Sequence, residues 1–98
     1  MSDLCNEVEK LGKGIGNANR YSILEVLMQG PKSVSDIVDA VQLSQPAVSQ
    51  HLKALKEYKL VTDSKSGQEV FYQIDVAYTT KLLTTLVSSL NKSKSTHN

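Results

Sequence analysis

The residues best suited to chemistry lie in one run, Leu43-Ser44-Gln45-Pro46-Ala47-Val48-Ser49-Gln50-His51-Leu52-Lys53-Ala54-Leu55. Gln45 and Gln50 each carry a carboxamide, a donor and an acceptor side by side, which matches the N6 and N7 edge of adenine. Ser44 and Ser49 can bond a base edge or a phosphate, and Lys53 can meet a phosphate as a cation. Ala47 and Ser49 are small, so a helix carrying them can approach a duplex groove closely. Side chains of these types also form ordinary solvated helix faces, so residue type alone leaves both readings open.

Other chemistries are poorly supplied. One cysteine, Cys5, and two histidines, His51 and His97, are the whole stock of soft and imidazole ligands, short of the four that a structural zinc takes. No metal and no cofactor is expected. No Ser/His/Asp set and no pair of buried carboxylates can be read, so an enzyme is not expected. Gly12-Lys13-Gly14-Ile15-Gly16 is rich in glycine, but no strand precedes it and no lysine follows at phosphate-loop spacing. It reads as a loop that ends a helix. Cys5 reads either as a small surface hydrophobe or as a redox thiol. With no second cysteine in the chain, the redox role needs pairing between two copies or a thiol adduct.

The polar face depends on a helix beginning at Ser44. With Val48 at zero on a helical wheel, Leu52 falls near about 40° and Leu55 near about 340°, whereas Pro46, Ser49, Gln50, Lys53 and Glu57 fall between roughly 100° and 200°. Ser44 suits the N-cap, and Pro46 sits in the first turn, where a missing N–H costs nothing. The helix then runs from about Gln45 to Tyr58. His51 falls at the edge of the apolar stripe and reads as a boundary residue bonding a backbone group or a phosphate.

The flanking elements follow from periodicity. Ser33 or Ser35 caps a short helix holding Ile37, Val38 and Val41, and only Gln42, Leu43 and Ser44 separate it from the next. Leu60 to Lys65 and Gln68 to Ile74 read as strands, rich in β-branched and aromatic residues, with Ser66-Gly67 as the hairpin turn. Lys65 and Gly67 lie at its tip, where Lys65 and the backbone can touch a flanking minor groove or phosphate. Phe71 and Tyr72 alternate, which sends one to the core and the other to solvent. Upstream, Leu4, Val8 and Leu11 mark an amphipathic helix ended by Gly12 to Gly16. Ile23, Leu24, Leu27 and Met28 mark a second, capped by Asn17 or Asn19 and stopped by Gly30-Pro31. Leu82, Leu83, Leu86, Val87 and Leu90 mark a last helix from Ala77 to Leu90. Two helices, a helix–turn–helix, a hairpin and a final helix make the layout of a winged helix–turn–helix.

The run Leu43 to Leu55, together with Leu60-Val61, Glu69-Val70-Phe71-Tyr72-Gln73-Ile74 and Asn19-Arg20-Tyr21-Ser22-Ile23-Leu24, resembles the ArsR/SmtB family of bacterial winged-helix repressors over about residues 17–74. The resemblance implies a mainly α fold with a small β-hairpin. Its order is two helices, a short strand, two helices, two strands and a last helix. It also implies a homodimer packed through its terminal helices. Such a dimer binds double-stranded DNA at a palindromic operator until an inducer relieves it, and the sequence names no inducer. The DNA-binding residues are then Ser44, Gln45, Pro46, Ala47, Ser49, Gln50, Lys53, Lys65 and Gly67. Metal-sensing members carry thiols near the third helix, where this chain has Lys32-Ser33-Val34-Ser35-Asp36. Others carry an Asp-x-His and later His and Glu ligands on the last helix. Here Asp75-Val76-Ala77 lacks the first His, and Ser88 to Asn91 supplies neither later ligand. Neither metal pattern survives.

Composition bounds the rest. The 98 residues make one domain over 1–92, followed by a polar tail, 93–98, expected to be disordered. Net charge is +1, spread as −2 over residues 1–41, +1 over 42–74 and +2 from Asp75 onward. So weak a basic balance keeps an alternative open, a winged-helix protein-interaction module without DNA binding. A chain this short supports only a small core, so a partner subunit is expected. The apolar side of the last helix, with Leu4, Val8 and Leu11, exceeds what one small domain needs and is expected to form that interface. No apolar run approaches about 18 residues, so no membrane span is expected. The start, Met1-Ser2-Asp3-Leu4, lacks the pattern of a secretory signal, and a cytoplasmic location is expected.

Overall fold

A computed structural model describes residues 3–96, and the side chains of residues 5–91. The element order is α1 (Asp3–Ile15), α2 (Ala18–Leu27), β1 (Lys32–Ser33), α3 (Val34–Val41), α4 (Gln45–Glu57), β2 (Val61–Ser66), β3 (Glu69–Ile74) and α5 (Val76–Thr96). Four of these helices start on a side chain that accepts a hydrogen bond from the backbone three residues on. Asn17 accepts from Arg20 N at 3.0 Å, Ser33 from Asp36 N at 3.2 Å, Ser44 from Ala47 N at 3.3 Å, and Asp75 from Tyr78 N at 3.0 Å. Each bond satisfies one of the donors that a helix start leaves unpaired.

The apolar stripes converge on one core. It gathers Ile23, Leu24 and Leu27 of α2, Ile37 of α3, and Val48, Leu52 and Leu55 of α4, with Leu11, Leu60, Val61 and Leu82 around them. Val48, Leu52 and Leu55 are fully buried, at roughly 1.5–3 kcal/mol each in transfer free energy. Their burial fixes the rotation of α4 and so turns its opposite side to solvent.

The three strands form an antiparallel sheet in the order β1-β3-β2. The last paired residues of the hairpin are Ser66 and Glu69, so the turn is Gly67-Gln68, one residue later than Ser66-Gly67. Gly67 has φ +65, and the first central position of a tight hairpin turn is where such a φ requires glycine. Phe71 and Tyr72 do not divide into one buried and one exposed residue. Both are half-buried, and Tyr72 packs on the core. β3 is the middle strand, with β1 and β2 paired along its two edges.

The end of α4 sets the direction of the hairpin. Lys59 has φ 65, Lys59 N donates to Lys56 O at 3.0 Å, and Leu60 N donates to Leu55 O at 3.0 Å. This is a Schellman termination, and its usual hydrophobic contact is supplied by the buried pair Leu55 and Leu60. Lysine occupies the left-handed position that glycine usually takes.

Two boundaries differ from expectation, and so does the use of the α1 stripe. Helix α1 runs through Gly12 and Gly14 to Ile15, where a loop was expected. The reason is packing: a Cβ on Gly14 would run into the Leu60 side chain, with Leu55 just behind it at 3.4 Å. Glycine here allows α1 to lie against the α4–β2 corner. Helix α5 runs to Thr96, past the Leu90 end expected from its apolar spacing. No glycine or proline follows Val76 to stop it; residues 97–98 lie outside the described residues. The α1 stripe is also spent differently. Leu11 is buried and Val8 packs on the core, so both serve this chain's own interior. The Leu4 side chain lies outside the described residues.

Candidate nucleic-acid interface

The turn between α3 and α4 is Gln42-Leu43-Ser44, with Gln42 in the left-handed region at φ 57. It places α4 across α3 in a helix–turn–helix, and the β2–β3 hairpin, the wing, follows directly. Ser44, Gln45, Pro46, Ser49, Gln50 and Lys53 are all exposed, and Ala47 is half-buried. Pro46, Ser49, Gln50 and Lys53 therefore share one solvent-facing flank opposite the buried Val48, Leu52 and Leu55, while Ser44 and Gln45 are exposed at the helix start. The Ser44 hydroxyl oxygen is used as an acceptor by Ala47 N, which leaves its O–H free to donate outward. His51 is half-buried at the edge of that flank.

Lys65 and Gly67 are exposed at the wing tip. Cys5 is exposed on α1. One charged residue of α4 was missed by the sequence reading. Lys56 donates from Nζ to Asp63 Oδ2 of β2 at 3.0 Å. That hydrogen bond, and then the charge of Asp63, raise the Lys56 ammonium above its ordinary value. The signal was present in the spacing, since Lys56 falls near about 80° on the same wheel, beside Ser49. Among the described residues, no group of three or more His, Cys, Asp or Glu comes together to hold a metal ion, and no helix is long and apolar enough to cross a membrane.

Comparison with known proteins decides the family. The model of the arsR family of bacterial regulatory proteins matches residues 17–63. The arsenical resistance operon repressor of Staphylococcus aureus is 32% identical over 85 residues, which cover 87% of this chain and 78% of that one. This chain belongs to the ArsR family. A second relative of the ArsR chain is the HTH-type transcriptional regulator Rv2034 of Mycobacterium tuberculosis. It is 37% identical over 67 residues, 68% of this chain and 63% of its own length. Among solved structures, the homodimeric winged helix-turn-helix DNA-binding domain Mb0332 of Mycobacterium bovis superposes with a TM-score of 0.71 at 31% identity. That match covers 100% of this chain and 94% of the other. The fold is thus the winged helix–turn–helix of ArsR regulators, a family of transcriptional regulators and not of enzymes.

Proposed function

We propose that this ArsR-family chain is a dimeric repressor that inserts α4 into the major groove of a palindromic operator and rests its wing on the flanking backbone. Gln45 and Gln50 read base edges, Ser44 and Ser49 bond bases or phosphates, and Pro46 and Ala47 permit close approach. Lys53, Lys65 and the Gly67 backbone meet phosphates or the minor groove. The observation that carries this reading is the single exposed polar flank of α4, held outward by three fully buried residues on its other side. A cytoplasmic setting, among the DNA it regulates, goes with this role.

The second subunit has a surface to occupy. Leu83, Val87 and Leu90 of α5 are 45%, 53% and 62% exposed, and their spacing of four and then three residues is that of a helix–helix seam. Ile15 of α1 and Leu83 also line an apolar cavity of about 170 Å³ floored by Leu11, Leu24 and Leu60. The seam supports a second copy packed through α5 and the end of α1, and the Mycobacterium bovis relative is homodimeric. Two-fold symmetry then presents two α4 helices to one duplex.

The test is selection of bound duplexes from a random pool. The expected product is a palindrome whose half-sites lie about 10–10.5 bp apart, centre to centre. Absence of enrichment, with no binding of random duplex at low salt, would favour the protein-interaction module instead.

A further inference from the structure

Among the described residues, Lys56 has a carboxylate upon it, whereas Lys53 and Lys65 do not. Lys56 Nζ lies 3.0 Å from Asp63 Oδ2. Lys56 follows Lys53 by three residues and Ser49 by seven, so all three share one side of α4. Asp63 comes from β2, where it pairs in register with Tyr72. The contact therefore spans the junction between α4 and the wing. Both side chains remain open to solvent, at 53% and 30% exposure. Exposed pairs of this kind add little to stability, so holding the fold together does not account for it. In the DNA-binding reading above, a lysine on this side of α4 can meet a phosphate, and phosphate contacts add affinity for every sequence alike.

We propose that Asp63 is a specificity-determining residue: by occupying the Lys56 ammonium it withholds a phosphate contact where α4 meets the wing, and so lowers binding to non-cognate DNA. The inference rests on the DNA-binding reading above. In it, Lys53 and Lys65 serve as phosphate contacts, while Lys56 is kept neutral in effect by its partner. The net charge of only +1 is in keeping with a chain that limits its sequence-independent attraction to DNA.

The test is a double-mutant cycle of the full chain: parent, Asp63→Asn, Lys56→Gln and the double variant. Each is titrated with random-sequence duplex and with the selected operator over a range of salt. Asparagine keeps the size and polarity of Asp63, and thermal melting verifies that each variant is folded. Asp63→Asn is expected to tighten binding to random duplex several-fold and to steepen the log–log salt slope by about 0.9. The ratio of operator to random affinity falls, and the gain disappears when Lys56 is glutamine. An equal gain with and without Lys56 assigns the effect to net charge alone and overturns the inference. Weaker binding of both duplexes at unchanged slope makes the pair a brace for the wing and also overturns it. A parent chain that binds neither duplex overturns the DNA-binding reading, and this inference with it.

Discussion

The guanidinium of Arg20 lies 5.5 Å from the ring centroid of Tyr58. Its Nη1 donates to the Tyr58 hydroxyl at 3.4 Å and to the Lys13 carbonyl at 3.2 Å. One half-buried side chain on α2 therefore ties the end of α1 to the end of α4. Hydrogen bonds to a charged group contribute about 1.5–3 kcal/mol and a cation–π contact about 0.5–1 kcal/mol. Arg20→Ala is expected to lower stability by roughly 1–3 kcal/mol, read as a drop in the urea midpoint. Arg20→Lys keeps the charge but not the planar fork, so it recovers little of the loss.

Two glycines of α1 give opposite predictions. Gly12 has nothing within 4 Å of a Cβ, so Gly12→Ala is expected to gain roughly 0.5–1 kcal/mol from helix propensity. At Gly14 the new methyl meets Leu60, and Gly14→Ala is expected to lose roughly 1–3 kcal/mol from overpacking. Urea unfolding of the two variants beside the parent decides both signs.

Lys59 holds φ 65 at the end of α4. Relieving that conformation with Lys59→Gly is expected to stabilise the chain by roughly 0.5–1 kcal/mol, at unchanged denaturant slope. A loss of stability would show that the lysine stem contributes packing that outweighs its backbone strain.

Val87 is exposed in the single chain and central to the proposed seam. Val87→Glu is expected to leave the fold intact and to weaken dimerisation by about 3 kcal/mol, or roughly a hundred-fold, as the cost of burying an unpaired carboxylate. Sedimentation velocity over a concentration series reads the shift, and an unchanged dimer would place the interface elsewhere.

Much of this arrangement was legible in the sequence because local chemistry and tertiary packing agree there. Ser44 with Pro46 marks a helix start that packing has no reason to move, and Val48, Leu52 and Leu55 fix its buried side. The reading failed where a distant partner decides. Gly14 looked like a helix breaker, since its contact with Leu60 lies far along the chain. The hairpin register slipped because Ser66 and Gly67 are both turn formers, and only strand pairing shows that Ser66 still belongs to β2. The α5 stripe read as one surface, yet Leu82 turns inward while Leu83, Val87 and Leu90 turn outward. Lys56 went unnoticed because its meaning depends on Asp63, seven residues later in another element.

The central claim, that the exposed flank of α4 reads bases, is tested most directly by Gln50→Ala. Binding of parent and variant is measured on the selected operator and on a panel with single base-pair changes in each half-site. The variant is expected to lose about 1–3 kcal/mol on the operator and to become indifferent at one position per half-site. Equal loss on every duplex, or no loss on any, would contradict the assignment of this flank to sequence recognition.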